Sequence, residues 1–401
     1  MPQPSVTGLS GNEIYCMQLK GLRPSSIVVG NSVQSMGFLG ALSTTFRGAV
    51  GGEIPAVTEM IHAGREAAFD RMVEEARREG VHGVVGVSSE LRGLAGNSEF
   101  LFVGSGVIDN QGGKLFTSAG DAQELYCHMD AGYQPVQFAF GNIAYSVGIV
   151  GGIAGALKTM VRGEIREFSD VFNATRHQAL ERLVAQARNA GANAVVGVRT
   201  NVTQMSGMHE MYMTGTAAIH PSLPAEASAS PVTSDLTGEE LWAMTSLGYA
   251  PVKLLISTSV YSLGIVGGFK AAFKSFSKGE IGDLTTLVYD ARENVFDRLK
   301  SEAAALGAEE VVGIKTYILE LGSNLIEVVS IGTAVRKLPN FGVQTAALPC
   351  QAIIRDKDTW LSGDGGFDLH SSRAGGCIDA ELIERNRLQW VAGRRDSRRP
   401  D

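Results

Sequence analysis

Cysteine is scarce. The 401 residues include four (Cys16, Cys127, Cys350 and Cys377), and no two of them sit at CxxC spacing. That scatter excludes a disulfide framework and suits a reducing cytoplasm, where the chain is expected to reside. Basic charge is not in excess either, with 35 Lys and Arg against 42 Asp and Glu and a net charge of −7. Phosphate backbones demand clustered cations, so nucleic acid is not an expected partner. Long apolar runs are missing as well: stretches such as 147–157 reach about half the roughly 20 residues that a membrane-spanning helix needs. The first residues, Met1-Pro2-Gln3-Pro4-Ser5, place no basic segment ahead of an apolar one, so no export signal is expected there. What is present, 44% hydrophobic and 19% charged residues, is the composition of a soluble globular protein with material for several cores.

Internal repetition organises the chain. Ser35-Met36-Gly37-Phe38-Leu39-Gly40 recurs as Ser146-Val147-Gly148-Ile149-Val150-Gly151 and as Ser262-Leu263-Gly264-Ile265-Val266-Gly267, at separations of 111 and 116 residues. Gly52-Glu53-Ile54, Gly163-Glu164-Ile165 and Gly279-Glu280-Ile281 keep those offsets. So do Arg65, Arg176 and Arg292, and the runs Val84-Val85-Gly86-Val87, Val195-Val196-Gly197-Val198 and Val311-Val312-Gly313-Ile314. The units therefore span 10–110, 119–220 and 237–337. A Pro-, Ala- and Ser-rich linker (221–231) precedes the third. Residues 338–401 form a tail, partly disordered and with one short amphipathic helix at 379–391.

Each unit parses in the same way. A capped leader helix with acidic residues in its first turn ends at Gly21, Gly132 or Gly248. An extended apolar strand follows, then the SxG turn and a glycine-rich amphipathic helix. A long helix is predicted over 57–79, 168–190 and 284–306, closed by Gly80, Gly191 and Gly307 as left-handed C′ residues. Two strands complete the unit. The expected fold is α+β: three tandem β-α-α-β-β units, each a three-stranded antiparallel sheet with helices on one face. Glycines inside the last two strands (Gly86, Gly197, Gly313; Gly104, Gly215, Gly332) are read as places where a helix or a neighbouring unit packs closely.

The succession strand, SxGxxGG, helix, GE[I], Arg-bearing helix, GAxAVVGV, strand resembles the YbjQ-like (UPF0145) family, which carries a heavy-metal-binding label. The match covers most of 27–108, 136–219 and 252–335, and Gly191-Ala192-Asn193-Ala194-Val195-Val196-Gly197-Val198 is its most specific part. The first unit departs from it with Gly80-Val81-His82-Gly83. The resemblance implies a dodecin-like α+β subunit, assembly as pentameric rings, and a soft or borderline metal ion as the ligand class.

Ligand residues do not repeat with the fold. Cys16 matches Cys127, but the third unit has Ala243 there, and His62 corresponds to Asn173 and Tyr289. Cys127-His128 is the single adjacent pair of soft ligands and the candidate metal site. Charged residues do repeat. Arg65 lies on an apolar stripe with Ile61, Ala68, Phe69 and Met72, so its guanidinium needs a partner, and Arg176 and Arg292 are placed alike. Glu53, Glu164 and Glu280 are the acids expected to pair with them, either fixing the structure or framing an anion site in a cleft between units. Arg71, Arg182 and Arg298 are read as solvated. The glycine-rich turn lacks the Lys-Ser/Thr of a phosphate-binding loop, and no nucleophile–base set or carboxylate couple recurs.

Three functions remain open at this stage. The first is a non-enzymatic oligomeric binding or assembly protein. The second is a metal or metalloid binder using Cys127 and His128. The third is a small-molecule enzyme with sites between units lined by Arg65, Arg176 or Arg292. A homo-oligomer is expected, although three units cannot tile one five-membered ring with whole chains: five chains stacking three rings, two chains closing a pseudo-hexamer, or one chain curling into a pseudo-trimer are the alternatives. The tail offers a docking peptide for a further partner.

Overall fold

The computed structural model describes residues 6–35, 52–94, 97–146, 163–205, 208–262, 282–322 and 325–349. In the first repeat α1 (Gly11–Leu19), β1 (Leu22–Gln34), β2 (Gly52–Glu53), α2 (Pro55–Arg78), β3 (Gly83–Leu94) and β4 (Asn97–Asp109) follow in order. The second runs β5 (Phe116–Thr117), α3 (Ala122–Asp130), β6 (Gln134–Ser146), β7 (Gly163–Glu164), α4 (Arg166–Asn189), β8 (Ala194–Met205) and β9 (Met208–Ile219). A 3₁₀ turn (Ala225–Ser228) leads to the third: β10 (Val232–Thr233), α5 (Gly238–Ser246), β11 (Tyr249–Ser262), α6 (Gly282–Ala305), β12 (Glu310–Gly322) and β13 (Leu325–Lys337). The glycine-rich helix expected after each SxG turn lies outside the described residues, as does the tail from 350 onward.

Local chemistry explains the boundaries. Ser10 and Thr237 form capping boxes with Glu13 and Glu240, and Asp121 accepts from the backbone N–H groups of Gln123 and Glu124, so all three leader helices start where a side chain satisfies their free donors. The long helices end where predicted, with Gly80, Gly191 and Gly307 at positive φ. Gly86, Gly197 and Gly313 also have positive φ, and the strand register shifts beside each of them. They are β-bulges, and the close approach expected there is seen at Gly197, where a Cβ would stand 3.1 Å from Glu124 Oε1 and 3.3 Å from His128 Cε1 of α3, and at Gly313, 2.9 Å from Leu236. Gly104, Gly215 and Gly332 make room for valine side chains of the adjoining bulged strand: a Cβ on Gly104 would lie 2.4 Å from Val84 Cγ1.

The three-stranded antiparallel sheet is present but never isolated, which corrects the expected unit. β1-β4-β3 is extended by β5, a piece of the second repeat's leader lying parallel to β3. The middle sheet has the order β10-β8-β9-β6-β2: β10 comes from the third repeat and runs parallel to β8, while β2 comes from the first and runs antiparallel to β6. The third sheet, β12-β13-β11-β7, takes β7 from the second repeat. The second repeat thus donates one two-residue strand backward (β5) and one forward (β7), the first donates β2 forward and the third β10 backward. The first two sheets are mixed while the third is antiparallel.

The cores cross the same boundaries. Ile61, Phe69 and Met72 of α2 pack with Phe100 and Phe102 of their own repeat and equally with Phe138, Phe140 and Ala144 of β6. Phe69 and Phe138 have ring centroids 5.8 Å apart. One step on, Phe172, Leu180 and Leu183 of α4 pack with Leu254, Ile256 and Val260 of β11. α2 and α4 therefore each have two apolar faces, one for their own sheet and one for the next.

The backbone of α4 lies directly on its own strand, as that of α2 does at Gly30. A Cβ on Gly141 would stand 2.2 Å from the Ala179 carbonyl oxygen and 2.6 Å from the Leu183 nitrogen. Gly141→Ala is expected to cost roughly 2–3 kcal/mol in urea unfolding, because helix and strand must separate. Gly93→Ala, where nothing lies within 4 Å, serves as the neutral comparison.

Candidate functional site

The repeated charges meet at the junctions between repeats. Arg65, on the apolar face of α2, is 4% exposed and holds Glu210 of β9 in the second repeat, itself 2% exposed. Its Nη2 donates to Oε2 at 3.0 Å and its Nη1 to Oε1, while the guanidinium stacks over the Tyr212 ring at 3.7 Å. Arg176 repeats the arrangement one step along the chain. Its Nε and Nη2 donate to Glu327 of β13 at 2.9, 2.6 and 2.7 Å, and Thr258 Oγ1 adds a fourth donor to that carboxylate at 2.6 Å. Burial opposes the charge on both arginines, but the facing carboxylates outweigh it and hold each guanidinium above its ordinary range. Pairs this deep persist because each carboxylate faces its guanidinium through a bidentate contact; Arg176 also uses its Nε, whereas Arg65 Nε is buried without a hydrogen bond.

The expected acids are elsewhere in the same joint. Glu53 does not pair with Arg65; it accepts from Arg182 Nη2 of the second repeat at 2.6 Å. Glu164 likewise accepts from Arg298 Nη2 of the third repeat at 2.6 Å and from the hydroxyls of Ser169 and Ser259. Arg182 and Arg298 also donate to the backbone carbonyls of Asn142 and Thr258, so they are half-buried bridging groups and not solvated charges. Every junction carries two crossed ion pairs, one dry and one partly wet. Glu280 lies outside the described residues. Arg292 is exposed and makes no ion pair among the described residues.

A second convergence ties the leader helices together. Asp130, fully buried at the end of α3, accepts from Lys20 Nζ of the first repeat at 2.9 Å and Trp242 Nε1 of the third at 2.8 Å. Thr345, just past the third repeat, adds its hydroxyl at 2.8 Å. Burial opposes ionisation, yet the hydrogen bonds from Lys20, Trp242 and Thr345 hold the Asp130 carboxyl below its usual range. Beside it, Phe341 stacks on His220 with centroids 4.5 Å apart.

Cys127 and His128 sit on α3 and face different surroundings. Cys127 is buried in the apolar cluster with Cys16, Met17 and Leu125, where burial pushes its thiol well up. His128 is buried with neither ring nitrogen hydrogen-bonded, and burial first and then the Arg199 charge lower its pKa to about 3. One turn earlier Glu124, salt-bridged to Arg199 at 2.6 Å, is raised to about 7, with burial outweighing the cation. A cleft of about 920 Å³ lies apart from all these groups, between α4, the linker and the start of β11, and is lined by His177, Arg188, Lys253 and Arg336 among others.

Residues 18–109, 132–220 and 250–337 match one family model, YbjQ, described as “Putative heavy-metal-binding”. The chain belongs to this family. It is also 28% identical over 232 residues to the “Encapsulin nanocompartment protein Rv1762c” of Mycobacterium tuberculosis, covering 56% of this chain and 87% of that one. A UPF0145 protein of Methanocella arvoryzae is 40% identical over 96 residues (24% of this chain, 78% of the relative), and one of Thermosipho africanus 39% over 90 residues (21% and 83%). No solved structure matches.

The YbjQ description raises a heavy-metal ion as ligand, and the donors described here do not fit one. The Cys127 thiol is held protonated in an apolar cluster, and among the described residues no three His, Cys, Asp or Glu side chains converge. Sequence reasoning missed Glu210 and Glu327, whose counterpart in the first repeat is Glu99. A glutamate at matching places in the last strand was the available signal, disguised by one extra residue in the β12–β13 hairpin.

The two buried titratable groups of α3 give opposite pH dependences. The folded pKa of His128 lies below its ordinary 6.5, so the stability it contributes is present above pH 6.5 and lost as pH falls toward 3. The folded pKa of Glu124 lies above its ordinary 4.5, so its contribution is present below pH 4.5 and lost as pH rises through 7. In urea titrations at several pH values, His128→Leu is expected to lessen the loss of stability on acidification below 6.5. Glu124→Gln is expected to lessen the loss between 4.5 and 7.

Proposed function

We propose that this YbjQ protein is a non-enzymatic assembly protein whose repeats are building blocks of a larger homo-oligomer in the cytoplasm. One observation carries the reading: Arg65 and Arg176, the shared guanidinium groups best placed to bind an anion, are consumed in dry bidentate pairs that bolt one repeat to the next. A repeat that spends its most distinctive charge on its neighbour is organised for contact. Similarity to a protein named for an encapsulin nanocompartment supports assembly as the business of such repeats.

Catalysis between units drew its support from a cleft lined by Arg65, Arg176 or Arg292. The first two stand in filled contacts, which removes most of that support. Heavy-metal binding rests on the family's description, and the donor set around Cys127 and His128 argues against it.

A native mass spectrum of protein purified without chelator or metal-affinity steps tests this directly. Several chains per particle with no extra mass per chain is the expected result. A single chain, or a discrete excess of one metal ion per chain, would overturn it.

A further inference from the structure

The joint between repeats occurs twice within the chain, and the half-joints at the two ends are complementary. Within the chain, the helix of one repeat covers the first strand of the next. On β6 the covered residues Phe138, Phe140 and Ala144 are 1% exposed, and on β11 Leu254, Ile256 and Val260 are 1% exposed or less. The same three positions of β1 (Ile27, Val29 and Val33) are 39%, 41% and 49% exposed, with no long helix of the described residues laid over them. Glu99 stands opposite Val33 in the ladder, as Glu210 stands opposite Ala144 and Glu327 opposite Val260. Glu210 and Glu327 are buried under an arginine. Glu99 is half-buried, accepts from Asn31 Nδ2 at 3.1 Å and forms no ion pair with an arginine among the described residues.

The other end shows the reverse. Arg292 occupies the place of Arg65 and Arg176 on α6 and is exposed, whereas those two are 4% and 1% exposed. Tyr289, at the place where His62 and Asn173 hydrogen-bond across their junctions, is 58% exposed. Ile314 on β12 is 46% exposed, against 4% for Val87 and 3% for Val198. The edge of β3 receives β5 and the edge of β8 receives β10, each in parallel; β12 receives no such strand among the described residues. Val6, which corresponds to the edge-pairing Thr117 and Thr233, is 73% exposed where they are 4% and 1%.

We propose that the α6 face of one chain, centred on Arg292, seats on the β1 face of a second copy, centred on Glu99, and rebuilds the internal joint between molecules. This rests on the assembly reading above and adds its surface, its direction and its recognition pair. A second copy is the occupant because the two faces match each other in charge, apolar area and missing edge strand, and because both continue an interface the chain already contains twice. The contact is head-to-tail, so it propagates until rotation closes a ring. An arginine that turned back to Glu99 of its own chain would be buried as Arg65 and Arg176 are. Arg292 is not, so the single-chain pseudo-trimer is not what these residues form.

Charge exchange tests the pairing on the full chain. Arg292→Glu and Glu99→Arg are each expected to weaken self-association on the order of 100-fold in sedimentation equilibrium, and the double exchange to recover most of it. Both residues lie at the surface, and circular dichroism of each variant checks that it is folded; if a reversal unfolds the chain, Arg292→Ala and Glu99→Gln replace it. Single reversals that associate as tightly as the wild type would overturn this interface and leave assembly standing through another surface. A wild-type chain that stays single at every concentration, its α6 face covered by its own tail or by nothing, would overturn the interface and the assembly reading together.

Discussion

A guanidinium group and a carboxylate, both removed from water, join each YbjQ repeat to the next, and much of the architecture follows from satisfying them. Arg176 brings three hydrogen bonds to Glu327 and Thr258 brings a fourth, so both carboxylate oxygens are met by donors away from water. Such a pair adds little stability compared with apolar residues of equal volume, but it penalises any misplaced neighbour severely. A long helix that slid by one turn on the following sheet would leave a buried charge facing valine. The surrounding features serve that alignment: crossed pairs from Arg182 to Glu53 and from Arg298 to Glu164 guard the flank, and two-residue strands fix the sheets edge to edge.

The apolar part of the joint makes the repeats interdependent. Phe138 and Phe140 belong by sequence to the second repeat and by packing to the core under α2 of the first. Asp130 does the same for the leader helices, gathering Lys20, Trp242 and Thr345 from three parts of the chain. A repeat cut from this context would expose a helix face on one side and a sheet face on the other, as α6 and β1 do here.

Much of the fold was legible because it rests on local rules. Ser10, Asp121 and Thr237 announce the leader helices, and Gly80, Gly191 and Gly307 close the long ones. The need of Arg65 for a buried partner was also legible, from its place among Ile61, Ala68 and Met72. The partner itself was not. Glu53 was the acid visible at constant spacing, whereas Glu210 and Glu327 are 145 and 151 residues away from their arginines and shifted by a hairpin insertion. The exchanged strands β2, β5, β7 and β10 are two residues long, too short for any alternation to register. Gly30 and Gly141, which let a helix backbone lie on a strand, went unremarked because the third repeat has Ser257 there.

The most direct measurement of the buried pair is a double-mutant cycle on Arg176 and Glu327, read by urea unfolding of the full chain. If the pair works by mutual satisfaction, Arg176→Met and Glu327→Leu each cost about 3–5 kcal/mol, while the double substitution costs far less than their sum. Two single losses that simply add would contradict the account, because the arginine and the glutamate would then be stabilising the fold through other contacts.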